Sequence, residues 1–146
     1  MVKTFRIKFF RDKTGFTLTE LLIVVIILGM LATLALPMLV KTIEKAKIGE
    51  AMSNLNLIRT GQKIYFLEHG YFSGEDGGDK EAGIRILNIE NPNSTNTYFT
   101  YTIETPKGAT TDFTSRAQRK NDAPSPYNGY YYEMSKDGIF DDSNGM

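Results

Sequence analysis

The chain contains no cysteine, so no disulfide contributes to its stability, and cysteine usage identifies no compartment. It has one histidine, His69, and neither a glycine-rich phosphate loop nor paired zinc ligands. That leaves enzyme chemistry little to work with, since a lone histidine beside Gly70 reads as the end of a helix rather than as a catalyst. Net charge is absent too: 17 Lys and Arg balance 17 Asp and Glu. The balance hides an asymmetry. Lys3, Arg6, Lys8, Arg11 and Lys13 against Asp12 give the first 15 residues a charge of +4, which leaves −4 for the remainder. An acidic remainder opposes binding to a phosphate backbone. A solvated strand end is the better account of its one basic cluster, Arg116, Arg119 and Lys120 with Lys107 nearby.

What the chain does have is a junction. A polar, basic segment ends at Gly15, and Phe16-Thr17-Leu18-Thr19-Glu20 opens an apolar run that reaches Leu36. A carboxylate inside a hydrocarbon span costs about 2.5–3.5 kcal/mol near its centre and less towards an end, so Glu20 calls for a neutralising partner. Cleavage after Gly15 would supply one, because Phe16 would gain a cationic amine. A secretory signal carries its cleavage site after the apolar core, not before it. A plain signal anchor explains the span but neither Gly15-Phe16 nor Glu20. The basic flank places the leader in the cytoplasm and the C-terminal part outside.

Phe16 to Leu36 makes about 31 Å of helix, against a hydrocarbon core of about 30 Å. It is long enough to span once, with Gly29, Ala32 and Thr33 offering small surface on one side. Thr17 and Thr19 can satisfy backbone groups of the first turn. Pro37 cannot donate to the carbonyl of Thr33, which predicts a kink or an opened stretch over Thr33–Pro37. Beyond it Ile48, Met52, Leu55, Ile58 and Tyr65 form an apolar stripe with Lys47, Glu50, Asn54 and Lys63 interleaved, the pattern of an amphipathic helix packed on a sheet. Glu68-His69-Gly70 stops it. A loop follows over Tyr71–Asn96, with a short helix expected within Glu81–Ile89 that points Ile84, Leu87 and Ile89 inward. The period then falls to two around Phe99, Tyr101 and Ile103, around Phe113, Ser115 and Ala117, and around Tyr130, Tyr132 and Met134. Asp137-Gly138 predicts a hairpin, with Ile139-Phe140 in a final short strand. The fold class is α+β: a long N-terminal α-helix, half transmembrane and half amphipathic, packed on a small antiparallel β-sheet.

Gly15-Phe16-Thr17-Leu18-Thr19-Glu20-Leu21-Leu22-Ile23-Val24-Val25, with Pro37, closely resembles the class III signal of type IV pilins and of type II secretion pseudopilins. The resemblance implies cleavage between Gly15 and Phe16 by a prepilin peptidase, N-methylation of Phe16, and a pilin-like fold. It divides the chain into a cleaved leader at 1–15, a transmembrane and filament-core helix at 16–37, and a globular head at 38–146. It implies that Glu20 of an incoming subunit meets the Phe16 ammonium of a chain already in the fibre, and that Glu20 marks a core-building subunit. The implied partners are copies of itself and other pilins or pseudopilins, the peptidase, an inner-membrane assembly platform and, before assembly, membrane lipid. The implied location is the inner membrane, single-pass with the N-terminus cytoplasmic, and then a filament in the periplasm or at the cell surface.

The chain departs from the family in its details. It lacks the C-terminal disulfide frequent in pili, and it lacks the Pro-Thr-Thr-Glu-Gln stretch and the Asp-Pro-Trp motif of major pseudopilins, having no tryptophan. Type IV pilin is the reading, with a type II secretion pseudopilin as the alternative and a DNA-binding minor pilin behind both; nucleic acid is an unlikely partner. No cofactor is expected. Major pseudopilins bind calcium in C-terminal loops, and Asp137, Asp141 and Asp142, with Asn144, offer oxygen ligands of the right kind. Their spacing is not that of a recognised calcium loop.

Overall fold

The computed structural model describes residues 15–95, 98–138 and 140–142. In chain order it holds α1 (Leu18–His69), α2 (Ala82–Arg85), α3 (Pro92–Thr95), β1 (Phe99–Ile103), β2 (Thr114–Arg119), β3 (Tyr131–Ser135) and β4 (Phe140–Asp142). Two compact units divide between Val40 and Lys41.

In the first unit every described residue is exposed, and all from Leu18 onwards are helical. A helix saturates its own backbone bonds, so an apolar sequence of this length can stand in hydrocarbon without other partners. The helix is long and apolar enough to cross a membrane, and its most apolar window has no residue buried. Helical structure persists through Pro37, so the opened stretch that the sequence predicts over Thr33–Pro37 does not form. The Thr33 hydroxyl donates to the Gly29 carbonyl at 2.9 Å one turn before the proline.

The second unit is an antiparallel sheet of order β1-β2-β3-β4 whose inner face meets the amphipathic part of α1. Ala51, Leu55 and Ile58 of α1 pack with Phe99, Tyr101, Ile103, Ala117, Tyr132 and Met134. Register explains the alternation of sizes. Ala117 lies between Tyr101 on one neighbouring strand and Tyr132 on the other, and its methyl leaves room for both rings. All three are buried.

The helix stripe needs one correction. Met52 is 40% exposed, and Glu44 and Gln62 occupy buried positions instead. The sheet and loop supply these polar residues with partners. Gln62 donates to the Ser73 carbonyl at 2.9 Å and accepts from the Ser73 amide at 3.0 Å, imitating a strand pair. The short helix expected within Glu81–Ile89 forms as α2, with Ile84 and Leu87 buried and Ile89 packed against the core. α3 was not legible in sequence. Its Asn93 amide both donates to the Tyr101 carbonyl and accepts from the Tyr101 amide, at 2.8 and 2.7 Å, and so covers an otherwise open strand edge. The predicted ends hold: α1 stops at His69, Gly70 takes φ +78, and its amide donates to the Phe66 carbonyl at 2.8 Å.

Gly74 anchors the long loop by close approach. A Cβ there would lie 2.2 Å from the Thr105 carbonyl oxygen and 2.6 Å from the Pro106 carbonyl carbon, both backbone atoms. Gly74→Ala is therefore expected to destabilise the head by about 2–4 kcal/mol. Gly49→Ala, at a helical site with nothing within 4 Å of the added carbon, is expected to stabilise by about 0.5–1 kcal/mol. Thermal unfolding in detergent, followed by near-ultraviolet circular dichroism, reads both, because all 8 tyrosines lie in the head.

Candidate functional site

The N-terminal end of α1 is built around Thr17 and Glu20. The Thr17 amide donates to Glu20 Oε2 at 2.9 Å and its hydroxyl to the same oxygen at 2.8 Å. The Glu20 amide donates back to Thr17 Oγ1 at 3.2 Å. This is a capping box: a helix start leaves backbone N–H groups without intrahelical acceptors, and a Thr-x-x-Glu spacing satisfies two of them reciprocally. Thr17 is the residue that caps; Thr19 has no such bond among the described residues. In the uncut chain Glu20 thus has two donors from its own helix start. Phe16 is 79% exposed, and the space around Gly15 is open, so the Gly15–Phe16 bond is accessible. A cut at that bond would place an ammonium directly before the capping residue. From Leu18 to Leu39 the large apolar side chains are all exposed, a surface far larger than soluble monomers leave to water.

The head's basic cluster is rearranged by its carboxylates. Arg119 is not a solvated strand end. It is 4% exposed, and its Nε donates to Glu44 Oε2 at 3.2 Å. Its Nη1 donates to the Tyr98 carbonyl at 2.8 Å and to Asp122 at 3.2 Å. Glu44 is 3% exposed and also accepts from Lys47 Nζ at 2.7 Å. Burial alone would raise the Glu44 carboxyl, but hydrogen bonds from Arg119 and Lys47 outweigh it and hold the group below its ordinary value. Arg116 binds Glu133 at 2.6 Å, lies 3.6 Å from Glu104, and stacks over Tyr131. Lys107 pairs with Asp76 at 3.0 Å. Arg116, Arg119 and Lys107 therefore carry carboxylate partners, which removes most of the positive field that a nucleic-acid strand would need.

Sequence reasoning missed Glu44. A signal was present, because Glu44 precedes Ile48 by four residues and Ala51 by seven, on the buried stripe itself. A charge at such a position implies a buried partner.

His69 closes α1 with Nδ1 3.1 Å from the Tyr65 carbonyl and its ring stacked on Tyr65. No group of three acidic or histidine residues gathers as a metal cage among the described residues. Asp137 sits exposed in the β3–β4 turn, its amide donating to Ser135 Oγ. Asp141 and Asp142 pair in register with Glu133 and Tyr132. Their side chains, like the whole of Asn144, lie outside the described residues.

Comparison with known proteins points to the same end of the chain. The family model described as the prokaryotic N-terminal methylation motif matches residues 10–36. The type IV major pilin protein PilA of Myxococcus xanthus is 43% identical over 74 residues, covering 49% of this chain and 34% of that protein. The type II secretion system core protein G of Vibrio cholerae is 35% identical over 68 residues, covering 47% of each. The type IV major fimbrial protein FimA of Dichelobacter nodosus is 37% identical over 75 residues, covering 51% of this chain and 45% of that protein. The chain thus spans between a third and a half of the length of the curated relatives it matches. No solved structure matches it.

Proposed function

We propose that this chain is a structural subunit of a type IV filament, cut by a prepilin peptidase between Gly15 and Phe16, methylated on Phe16, and assembled through the helix that begins there. The observation that carries the reading is a coincidence of position. The methylation motif covers residues 10–36, and the helix it enters presents its apolar side chains unburied. Such a surface needs lipid first and other subunits afterwards.

After cleavage the Phe16 ammonium, which stays cationic when monomethylated, pairs with Glu20 of the next subunit. In a dry helical core an unpaired carboxylate costs several kcal/mol, so the pair penalises wrong axial register whether or not it adds net stability. Pro37 is the point where the helix gives way when the fibre stretches. The chain is held in the inner membrane with its head outside, and works with an assembly platform and copies of itself rather than on a substrate.

Type IV pilin is favoured by the higher identity to the M. xanthus pilin. The similarity to core protein G, which covers 47% of that protein, keeps a secretion pseudopilin as the second reading. Intact-mass measurement with an N-terminal peptide map, on filaments sheared from source cells, separates them. Abundant chain starting at methylated Phe16 in the sheared fraction is the expected result. The same species confined to the membrane fraction would favour the pseudopilin, and chain retaining its first 15 residues everywhere would overturn the proposal.

A further inference from the structure

The cations of α1 near its apolar run fall into two kinds. Lys47 is bound to Glu44, which Arg119 also holds. Lys41 and Lys45 are exposed and have neither a carboxylate nor a carbonyl partner among the described residues. Four residues apart on a helix, they share one face, about 6 Å from each other. Lys41 directly follows Val40, the end of a run in which Glu20 is the one charged residue.

Helix length sets where they stand. From Leu18 to Val40 the rise is about 34 Å, slightly more than the roughly 30 Å of a hydrocarbon core. Lys41 therefore comes at the polar boundary, and Lys45 about 6 Å further out, at the depth of lipid phosphates. Both aliphatic stems can lie along acyl chains while the ammonium groups reach outwards. Glu44, the nearest acid in sequence, is buried in its own ion pairs, so this turn of the helix is locally positive although the chain beyond Gly15 is acidic overall.

We propose that Lys41 and Lys45 together bind the phosphate of an anionic phospholipid in the outer leaflet, holding the processed chain at one depth until it enters the fibre. The inference rests on the filament-subunit reading, which supplies the membrane. Processing increases its weight. Cleavage removes Lys3, Arg6, Lys8, Arg11 and Lys13, the cations that retain the N-terminus on the inner side. Afterwards the inner end keeps one ammonium, and the outer pair becomes the main charged tether. A carboxylate pair on a neighbouring copy would also suit two lysines. The lipid is favoured because the pair adjoins the span, where every subunit meets headgroups before it meets another subunit.

Native mass spectrometry of the processed chain (16–146) in detergent tests this, with phosphatidylglycerol or phosphatidylcholine of matched acyl chains added. Phosphatidylglycerol is expected to bind roughly 25-fold better, about fivefold per lysine. That ratio should fall to about one in Lys41→Gln/Lys45→Gln and persist in Lys63→Gln, which removes another exposed cation of α1. Equal binding of the two lipids, or an undiminished preference in the double variant, would overturn the proposal. Displacement of the lipid by millimolar inorganic phosphate would also overturn it, by identifying a site for soluble anions. A double variant that keeps its lipid preference but no longer self-associates would assign the pair to a neighbouring copy. Failure of the filament reading is scored separately, by the N-terminus found in cells, because the lipid ratio can be read on the full chain as well.

Discussion

Arg119→Met is expected to destabilise the head by about 3–5 kcal/mol, read as thermal unfolding in detergent. The substitution conserves bulk and removes charge, so what it exposes is the cost of leaving Glu44 buried without its strongest partner. Lys47 remains 2.7 Å away and limits the loss. The Tyr98 carbonyl, which accepts from Arg119 at 2.8 Å, loses that donor as well. Glu44→Met/Arg119→Met is expected to recover most of the stability, since two apolar side chains of similar volume carry no desolvation penalty. Strong non-additivity is the signature of a coupled pair. Simple addition of the two single effects would remove the idea.

The same pair sets an acid limit. The Glu44 carboxyl is held below its ordinary value of 4.5 in the folded head, so its ionised form is the one that folding favours. Its contribution is complete above about pH 4.5 and is lost as pH falls through the lower, folded value. Unfolding temperature should therefore drop on acidification, and the drop should be smaller in the double variant. A residual slope is expected there. Burial raises Glu104, but bonds from Lys80 and Thr102 and the charge of Arg116 outweigh this and lower it too.

The second large effect concerns assembly. Glu20→Ala is expected to leave cleavage and methylation intact and to lower filament yield at least tenfold, consistent with several kcal/mol for a lost buried pair. The capping box complicates that variant, because removing the carboxylate also unties the helix start. Glu20→Gln separates the two roles. Glutamine still fits the Thr-x-x-Glu/Gln box but carries no charge. If intersubunit charge pairing matters, Glu20→Gln fails as badly as Glu20→Ala while its N-terminus maps normally to Phe16. Normal filament yield from Glu20→Gln would leave capping as the residue's role and sink the pairing.

Both effects show how far sequence reaches. The polar-to-apolar junction at Gly15-Phe16, the long apolar helix, the glycine stop at Gly70 and the period-two strands were legible because each depends on neighbours within one turn or one strand. The stripe over Met52 was misread because periodicity counts apolar residues and cannot see that Glu44 and Gln62 will find partners. Arg119 was read as solvated for the same reason: its carboxylate lies 75 residues away. Asn93 over the edge of β1 and Gly74 against Thr105 likewise required contacts that no local pattern encodes.

By itself, then, the sequence determined that this protein has a polar-to-apolar junction at Gly15-Phe16, an apolar helix of membrane length carrying one carboxylate, and an α+β head. Those properties follow from helix rise, capping and side-chain period. Only the tertiary structure decided which charges remain available. It buried Glu44 with Arg119, tied Arg116 to Glu133 and Lys107 to Asp76, and left Lys41 and Lys45 without a partner among the described residues. The physical reason is that a charge's free energy depends on the groups folding brings within a few ångströms of it, and those groups lie far away along the chain.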